Sequence, residues 1–429
     1  MFRFLAVILL INAFITNKAV GESKRTIRRI EIIGLTKTSP DLLKENIPIK
    51  VGQIFDLDQV QESERRMRNF RVFQSVESRV VPIGENEIDI QFTLQDRWTL
   101  IPILKASSGG GVQHYTFGLL ETNLFGKLHE VGAHYELLQG APSFAVWYRN
   151  PTLIKNSRFF QVDLGSNNTI RFLYDRDAEK EGAFLHRKIR LRFFRNEDAG
   201  PGLRFRHALI LEREWTHDRI FSDEDRHLNR KNNFQSIPES FYIKAQYGPI
   251  WGELDFFIDR QSGWETRLFG TAAFAVTGPQ ENKFDLFFDS RYFKLIGDRM
   301  NLALRAQLNS TSAIGYQHFH FAGGLSEVRG YFQNQFRGRS NIILNNEIRY
   351  SLIKGKSIII QPVAFLDASE TGGSPLKLVT SIDEIHLGTG IGARVIFPWV
   401  QRAVVRFDYA LPINSTGGAG VVFGLQQFF

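Results

Sequence analysis

From Trp98 to the end of the chain, apolar and polar residues alternate. Leu302, Leu304, Ala306 and Leu308 share one parity, and Asn301, Ala303, Arg305 and Gln307 share the other. Ala403, Val405, Phe407, Tyr409 and Leu411 oppose Arg402, Arg406 and Asp408 in the same way. A period of two marks a strand with one apolar and one wet face. No helix and no domain break is expected after Trp98. About 330 residues, at about 20 for each strand and its connection, give about 16 strands, an even number of the kind antiparallel β-barrels use. In a soluble sandwich the polar faces point outward, whereas in a membrane barrel they line the lumen, and alternation alone does not separate the two. The longest polar connection, from Asp223-Glu224-Asp225-Arg226 to Pro238, is expected as an extracellular loop if the sheet is a membrane barrel.

Residues 22–97 show another pattern. Ile27, Ile30, Ile32 and Ile33 end at Gly34 and predict a strand over Arg28 to Ile33. Thr38-Ser39-Pro40-Asp41 offers a helix N-cap with proline at the first helical position, followed by Leu42, Leu43 and Ile47 at helical spacing. Asp56 opens a second helix with Val60, Met67 and Phe70 on one side and Glu62, Arg65, Arg66 and Asn69 on the other. Val72 to Val80 and Ile88 to Leu94 then alternate as half-buried strands around Gly84-Glu85-Asn86. The order is strand, helix, helix, strand, strand, and Gln95-Asp96-Arg97 is a minimal linker to the long run of alternating strands.

At the start of the chain, the basic head Met1-Phe2-Arg3, the apolar run Phe4 to Ile15 and the small residues around Ala19-Val20-Gly21 form a secretory signal pattern, expected to be cleaved after residue 21. The apolar run is too short to span about 30 Å of hydrocarbon as a helix. The chain has no cysteine, which excludes disulfides, thiolate metal sites and cysteine nucleophiles. Net charge is +8, yet residues 22–97 hold 13 basic and 13 acidic side chains, so the excess lies elsewhere and is spread along the chain. No basic cluster with stacking aromatics points to nucleic acid. Apolar residues at 43% look ordinary for a soluble globule, but a membrane barrel averages its two faces to the same value.

The chemistry-bearing stretch is Gly323-Gly324-Leu325-Ser326-Glu327-Val328-Arg329-Gly330-Tyr331. Its glycines permit a tight fold-back. An arginine held there away from water needs a carboxylate for charge-assisted, often bidentate, hydrogen bonds, and Glu347 and Asp367 are the candidates downstream. Asn345, Glu347, Arg349 and Ser351 share the polar face of one strand, which fits that pairing. His318 and His320, two apart on an expected strand face, have no third ligand, and Asp223, Glu224 and Asp225 lack the spacing of a calcium site. No Gly-x-Ser-x-Gly, His-Glu-x-x-His or phosphate-loop motif occurs. No catalytic residue, metal ligand or cofactor is expected.

Two resemblances rest on these residues. Ile30-Glu31-Ile32-Ile33-Gly34, Asn69-Phe70-Arg71-Val72-Phe73 and the strand Ile88 to Leu94 resemble a polypeptide-transport-associated (POTRA) domain. That resemblance implies an edge strand over Val72 to Val81, with Val72, Phe73, Val76 and Val80, that adds a client strand by β-augmentation. Thr122-Asn123-Leu124-Phe125-Gly126, Val328-Arg329-Gly330-Tyr331, Ala364-Phe365-Leu366-Asp367-Ala368, Gly388-Thr389-Gly390-Ile391-Gly392 and Arg406-Phe407-Asp408-Tyr409-Ala410 resemble, in order, the motifs of the BamA/TamA superfamily of outer-membrane assembly factors and secretion transporters, also called the bacterial surface antigen family.

The implied fold is a transmembrane antiparallel β-barrel of about 16 strands over 98–429, preceded by one small α/β POTRA domain over 22–97. The implied site is a lumen loop latched by Val328, Arg329, Gly330 and Tyr331, with Arg329 on Asp367 and Glu347 as second acceptor. A C-terminal assembly signal is implied at Gly424 and Phe429, although Gln427 stands where a hydrophobic residue is usual and Ser369 where the strand motif usually has glycine. The implied function is insertion of unfolded polypeptides at the barrel seam of a Gram-negative outer membrane, with the POTRA domain in the periplasm. The alternatives are secretion of an exported polypeptide through the lumen and an outer-membrane hydrolase. Implied partners are unfolded outer-membrane or secreted polypeptides and membrane lipid. Accessory periplasmic proteins are left open, and nucleic acid is not expected.

Overall fold

The computed structural model describes residues 25–109, 112–150, 157–175, 177–279, 281–324, 327–375, 384–400, 403–414, 416–418 and 420–425. The expected export signal and the terminal Phe428 and Phe429 lie outside them.

Near the N-terminus, β1 (Thr26–Ile33), α1 (Pro40–Asn46), α2 (Leu57–Asn69), β2 (Phe73–Ile83) and β3 (Glu87–Asp96) form a three-stranded sheet in the order β1-β3-β2. β1 runs parallel to β3, and β2 is antiparallel to it. Leu43 of α1 and Val60 and Met67 of α2 join Ile27, Ile30, Ile88, Ile90, Phe92 and Leu94 in one buried core. The predicted cap of α1 is made differently. Ser39 is the N-cap but its side chain caps nothing, whereas Asp96 Oδ2, at the end of β3, accepts from the amides of Thr36 at 2.7 Å and Lys37 at 2.8 Å. Asp56 does cap α2, accepting from the Asp58 amide.

The described residues from 100 to 425 form a closed antiparallel barrel. Among them seventeen strand segments make the ring, and the two-residue segment Ile353–Lys354 continues Ser340–Tyr350 against the same neighbour, which gives sixteen strands. Each neighbours the next in sequence, and the first, Leu100–Gly109, lies beside the last, Gly420–Leu425.

Closure decides which face is which. On Ser340–Tyr350, Ile348 is 53% exposed on the outside, whereas Asn345, Glu347 and Arg349 are buried inside. Leu366, Phe407 and Tyr409 also stand outside, with Asp367 and Asp408 inside. An apolar exterior around a charged lumen is the arrangement for lipid, the reverse of a soluble barrel. Trp98, Trp264 and Trp399 are exposed at strand ends on the side that carries the small domain, where interfacial aromatics belong.

Two local expectations fail. The polar connection contains a helix, Asp223–Lys231. Ser222 caps it by accepting from the Asp225 amide at 3.1 Å, and the three acids fill its first turn, where the helix dipole favours negative charge. It has almost no apolar face for the sequence pattern to show, being anchored instead by Asn229, which exchanges two hydrogen bonds with the backbone of Ala183. Likewise His318 and His320 do not share a strand face. His318 ends a 3₁₀ turn, Tyr316–His318, and His320 begins a short strand, His320–Ala322.

Candidate functional site

Between Met300–Thr311 and Ser340–Tyr350, the chain leaves the rim farthest from the small domain and folds back into the lumen. His320–Ala322 pairs with Phe336–Gly338 at the neck of this loop, and Leu325 and Ser326 lie outside the described residues. Gly330, at φ +98°, makes the turn that presents Arg329 to the wall. Any larger residue fails twice there: the backbone is left-handed, and a Cβ would lie 2.6 Å from the Leu411 carbonyl carbon.

Arg329 is 1% exposed and uses its whole donor fork. Nε and Nη2 donate to the two oxygens of Asp367 at 2.7 and 2.9 Å, Nη1 donates to Glu347 at 2.8 Å and Asp408 at 3.2 Å, and the backbone amide adds a bond to Asp367 at 3.1 Å. The Phe365 ring lies 3.5 Å below the guanidinium. Arg349 bonds Glu347 at 2.8 Å, and Arg394 bridges Asp408 at 2.5 Å and Glu347 at 3.3 Å. With Arg406 3.6 Å from Asp408, four arginines face three carboxylates across four adjacent strands.

Charges so desolvated persist only when each is compensated, and removing one partner of such a pair costs about 3–5 kcal/mol. The glycine stripe makes the room. A Cβ on Gly388 would sit 2.0 Å from the Arg329 carbonyl oxygen, one on Gly392 2.0 Å from Asp408 Oδ1, and one on Gly390 2.4 Å from the Phe365 ring.

Val328 and Tyr331 are buried beside the arginine. The Tyr331 hydroxyl donates to the Leu387 carbonyl at 2.6 Å, with Asn414 Oδ1 3.1 Å away. The loop also reaches the opposite wall, where Arg337 pairs with Glu181 at 2.6 Å, Arg171 bonds Asn334, and Tyr316 packs on Phe184. His318 Nδ1 lies 2.6 Å from Lys283 Nζ and 3.6 Å from Glu214, inside a second group of charges. Among the described residues, no group of three or more metal-ligating side chains is arranged around an ion.

The structure thus brings Val328, Arg329, Gly330, Tyr331, Glu347 and Asp367 together. The sequence reading missed Asp408, Arg394 and Arg349 as members of the same network. Parity had already put Asp408 on the polar face of its strand, and that was the available signal.

At the other mouth, the small domain sits across the barrel. The Asn-Leu-Phe-Gly turn docks into it: buried Asn123 donates to Thr38 Oγ1 at 2.7 Å and accepts from the Leu128 amide at 2.8 Å, the Ser39 amide donates to the Gly126 carbonyl, and Leu128 joins the core of the small domain. Farther round, Arg65 of α2 pairs with Glu253 at 2.5 Å, and Arg71 lies 3.4 Å over Phe256. Between the two bodies remains a cavity of about 1860 Å³ lined, among the described residues, by fourteen arginine or lysine and six aspartate or glutamate side chains. The charges lining it are predominantly positive and come from both bodies.

Among the described residues β2 is a sheet edge, paired only with β3. Val72 and Phe73 are buried, and Val76 and Val80 pack on the core, so these four side chains face the helices and an added strand would meet backbone. One outward amide is already covered, since Ser78 donates to Glu64 of α2 at 2.7 Å. Gly424 lies opposite Arg406 on the last strand, and Phe429 is outside the described residues.

The Omp85 superfamily domain matches residues 123–429, and the POTRA domain, described as a surface antigen variable number repeat, matches residues 25–97. Among solved structures, CdiB from Escherichia coli aligns over 94% of this chain and 76% of its own, at 13% identity and a TM-score of 0.63. CdiB from Acinetobacter baumannii aligns over 94% and 74%, at 12% identity and 0.59. BamA from Haemophilus ducreyi lacking POTRA domains 1–3 aligns over 93% and 84%, at 13% identity and 0.54. At these identities the likeness is one of fold. No curated protein matches the chain.

Proposed function

The chain belongs to the Omp85 superfamily, and from that premise we propose that it is an outer-membrane assembly factor that takes unfolded polypeptides from the periplasm at its POTRA edge and releases them sideways into lipid at the barrel seam. The observation that carries this reading is the loop folded deep into the lumen. Arg329 alone ties the inserted loop to three strands through buried charge pairs, and other loop residues bond the opposite wall. For a client engaged at β2, this loop therefore stands in the way of an axial exit.

The wall offers one. Fifteen of the sixteen neighbouring strand pairs are consecutive in sequence and joined by connections, whereas Leu100–Gly109 and Gly420–Leu425 are adjacent without one. Parting them costs ladder hydrogen bonds and stretches no loop. The exposed backbone edges that result cannot stay in hydrocarbon and are satisfied by an incoming strand. The charged latch has a mechanical role here, and no step calls for covalent chemistry.

The test is depletion in the source cell followed by quantitation of its outer-membrane proteins. Loss of many barrel proteins supports assembly. Loss of a single secreted protein with the barrels intact would replace assembly by secretion through the lumen.

A further inference from the structure

We propose that the vestibule between the POTRA domain and the barrel binds acidic stretches of client polypeptide; this deepens the proposed function and rests on its reading of β2 as the client edge. The cavity, about 1860 Å³, exceeds the range of about 300–1,000 Å³ typical of small-molecule sites and suits a length of chain. Its charge is built by strand register. Arg204 and Arg267 both lie opposite Ile250, and Arg291 lies opposite Glu265 and beside Arg305.

The acids in this band are outnumbered. Glu265 receives Arg204 at 2.8 Å and Arg267 at 2.5 Å, and Asp289 receives Arg291 at 2.9 Å and Arg305 at 2.6 Å. Each guanidinium carries five N–H donors, so one carboxylate shared by two arginines leaves most of them open to a further acceptor. Arg204 Nε is buried and has no hydrogen-bond partner among the described residues. Low-dielectric walls around an unbalanced charge focus its field on whatever enters.

What enters is a peptide rather than an anionic glycan, because the start of the β2 edge, Gln74 to Val76, lines the same cavity. A strand added to that edge is held through its backbone. Its side chains then lie alongside the arginine band, which selects carboxylates by charge-assisted hydrogen bonds.

The experiment uses the full-length protein in detergent micelles and three fluorescent peptides of equal length, alternating valine with aspartate, asparagine or lysine. The aspartate peptide is expected to bind at least about tenfold more tightly than the asparagine peptide at low salt, with the difference shrinking as salt screens it. The triple variant Arg204→Gln, Arg267→Gln, Arg291→Gln should abolish the preference, and the triple lysine variant should keep most of it. Heat-modifiable migration checks that each barrel is folded.

Glu64→Ala frees the Ser78 amide from its bond to α2, and Ser78→Pro, compared with that control, blocks the outward edge of β2 without removing a bond to β3. If it changes nothing while the aspartate preference and its loss in the glutamine variant persist, the vestibule stands and the edge reading falls. If it weakens the aspartate and asparagine peptides equally and the two bind alike in the native protein, the edge reading stands and the vestibule proposal is overturned. Binding of heparin with no binding of any peptide also overturns it.

Discussion

Deep in the lumen Arg329 is 1% exposed and meets three carboxylates fixed on three strands, whereas at the near end Arg65 meets Glu253 with side chains 25% and 21% exposed. Both are arginine–carboxylate contacts of hydrogen-bond length, and distance alone would rank them together. Their surroundings separate them. A desolvated network holds its geometry because each broken bond strands a buried charge, while a solvated pair trades its partner for water at little cost. The near closure is itself asymmetric, with Asn123 and Leu128 buried at one side of the mouth and α2 half-wet at the other. A POTRA domain that moves would therefore pivot at the Asn123 turn and lift at α2, while the inserted loop stays in place.

The strongest way to break this contrast is Arg329→Ala. It leaves Glu347, Asp367 and Asp408 buried with one cation fewer, and a loss of about 3–5 kcal/mol is expected in urea unfolding of the vesicle-inserted barrel. Arg329→Lys should recover only part of it, because a point charge cannot reproduce the fork on Asp367. A loss below about 1 kcal/mol for the alanine variant would place the latch with ordinary surface pairs. Next in size is Gly388→Ala, whose added Cβ meets the Arg329 carbonyl oxygen at 2.0 Å. Overpacking of this kind costs about 1–3 kcal/mol. It should also raise protease cleavage within 312–339, and unchanged cleavage would show that the stripe is not what seats the loop.

Much of the fold and part of the Arg329 cluster were legible in the sequence, and the rest was hidden for physical reasons. Alternation gave the strands, because a ring with lipid outside and charge inside must keep period two. Glu347 could be nominated from the polar parity of its strand, and Asp367 from the strand motif Ala364-Phe365-Leu366-Asp367-Ala368, both downstream of the arginine. Asp408 sits on a strand three places round the ring from Glu347, and only closure brings it within 3.2 Å of Arg329. The Asp223–Lys231 helix was hidden because it is held by Asn229 and a dipole-matched first turn rather than by an apolar stripe. The docking of the Asn-Leu-Phe-Gly turn on the POTRA domain was equally invisible, since a turn motif names a backbone shape and not what it touches.

The near closure gives smaller effects. Asn123→Ala removes a donor and an acceptor from a buried site, and about 1–3 kcal/mol is expected. The readout is the spin-label distance between α2 and the barrel rim, which should broaden. Acid should act at the same junction. Burial pushes the Asp96 carboxyl up, but the Thr38 hydroxyl and the amides of Thr36, Lys37 and Thr38 outweigh it and hold the group below its ordinary value. Its contribution is therefore complete above the unfolded value and lost as pH falls through the lower folded one. The label distance should broaden at acid pH in the native protein and less in Asp96→Asn; equal behaviour would assign the change to another group. Smallest of all is Glu253→Gln, expected to cost under about 1 kcal/mol and to matter less at high salt. A salt-independent effect above that size would mean that α2 is locked as firmly as the loop.

The most direct measurement uses the absence of cysteine from the chain. One cysteine pair ties the loop to the wall at Phe336 and His386, whose rings stack at 3.5 Å. Another, chosen by scanning Leu100–Gly109 against Gly420–Leu425, ties the seam. Each oxidised protein is reconstituted in vesicles and assayed for insertion of an unfolded barrel protein from its own outer membrane. Lateral release at the seam predicts normal insertion with the loop tied, and loss with the seam tied that dithiothreitol reverses. Insertion that survives the seam disulfide and stops with the loop disulfide would contradict it.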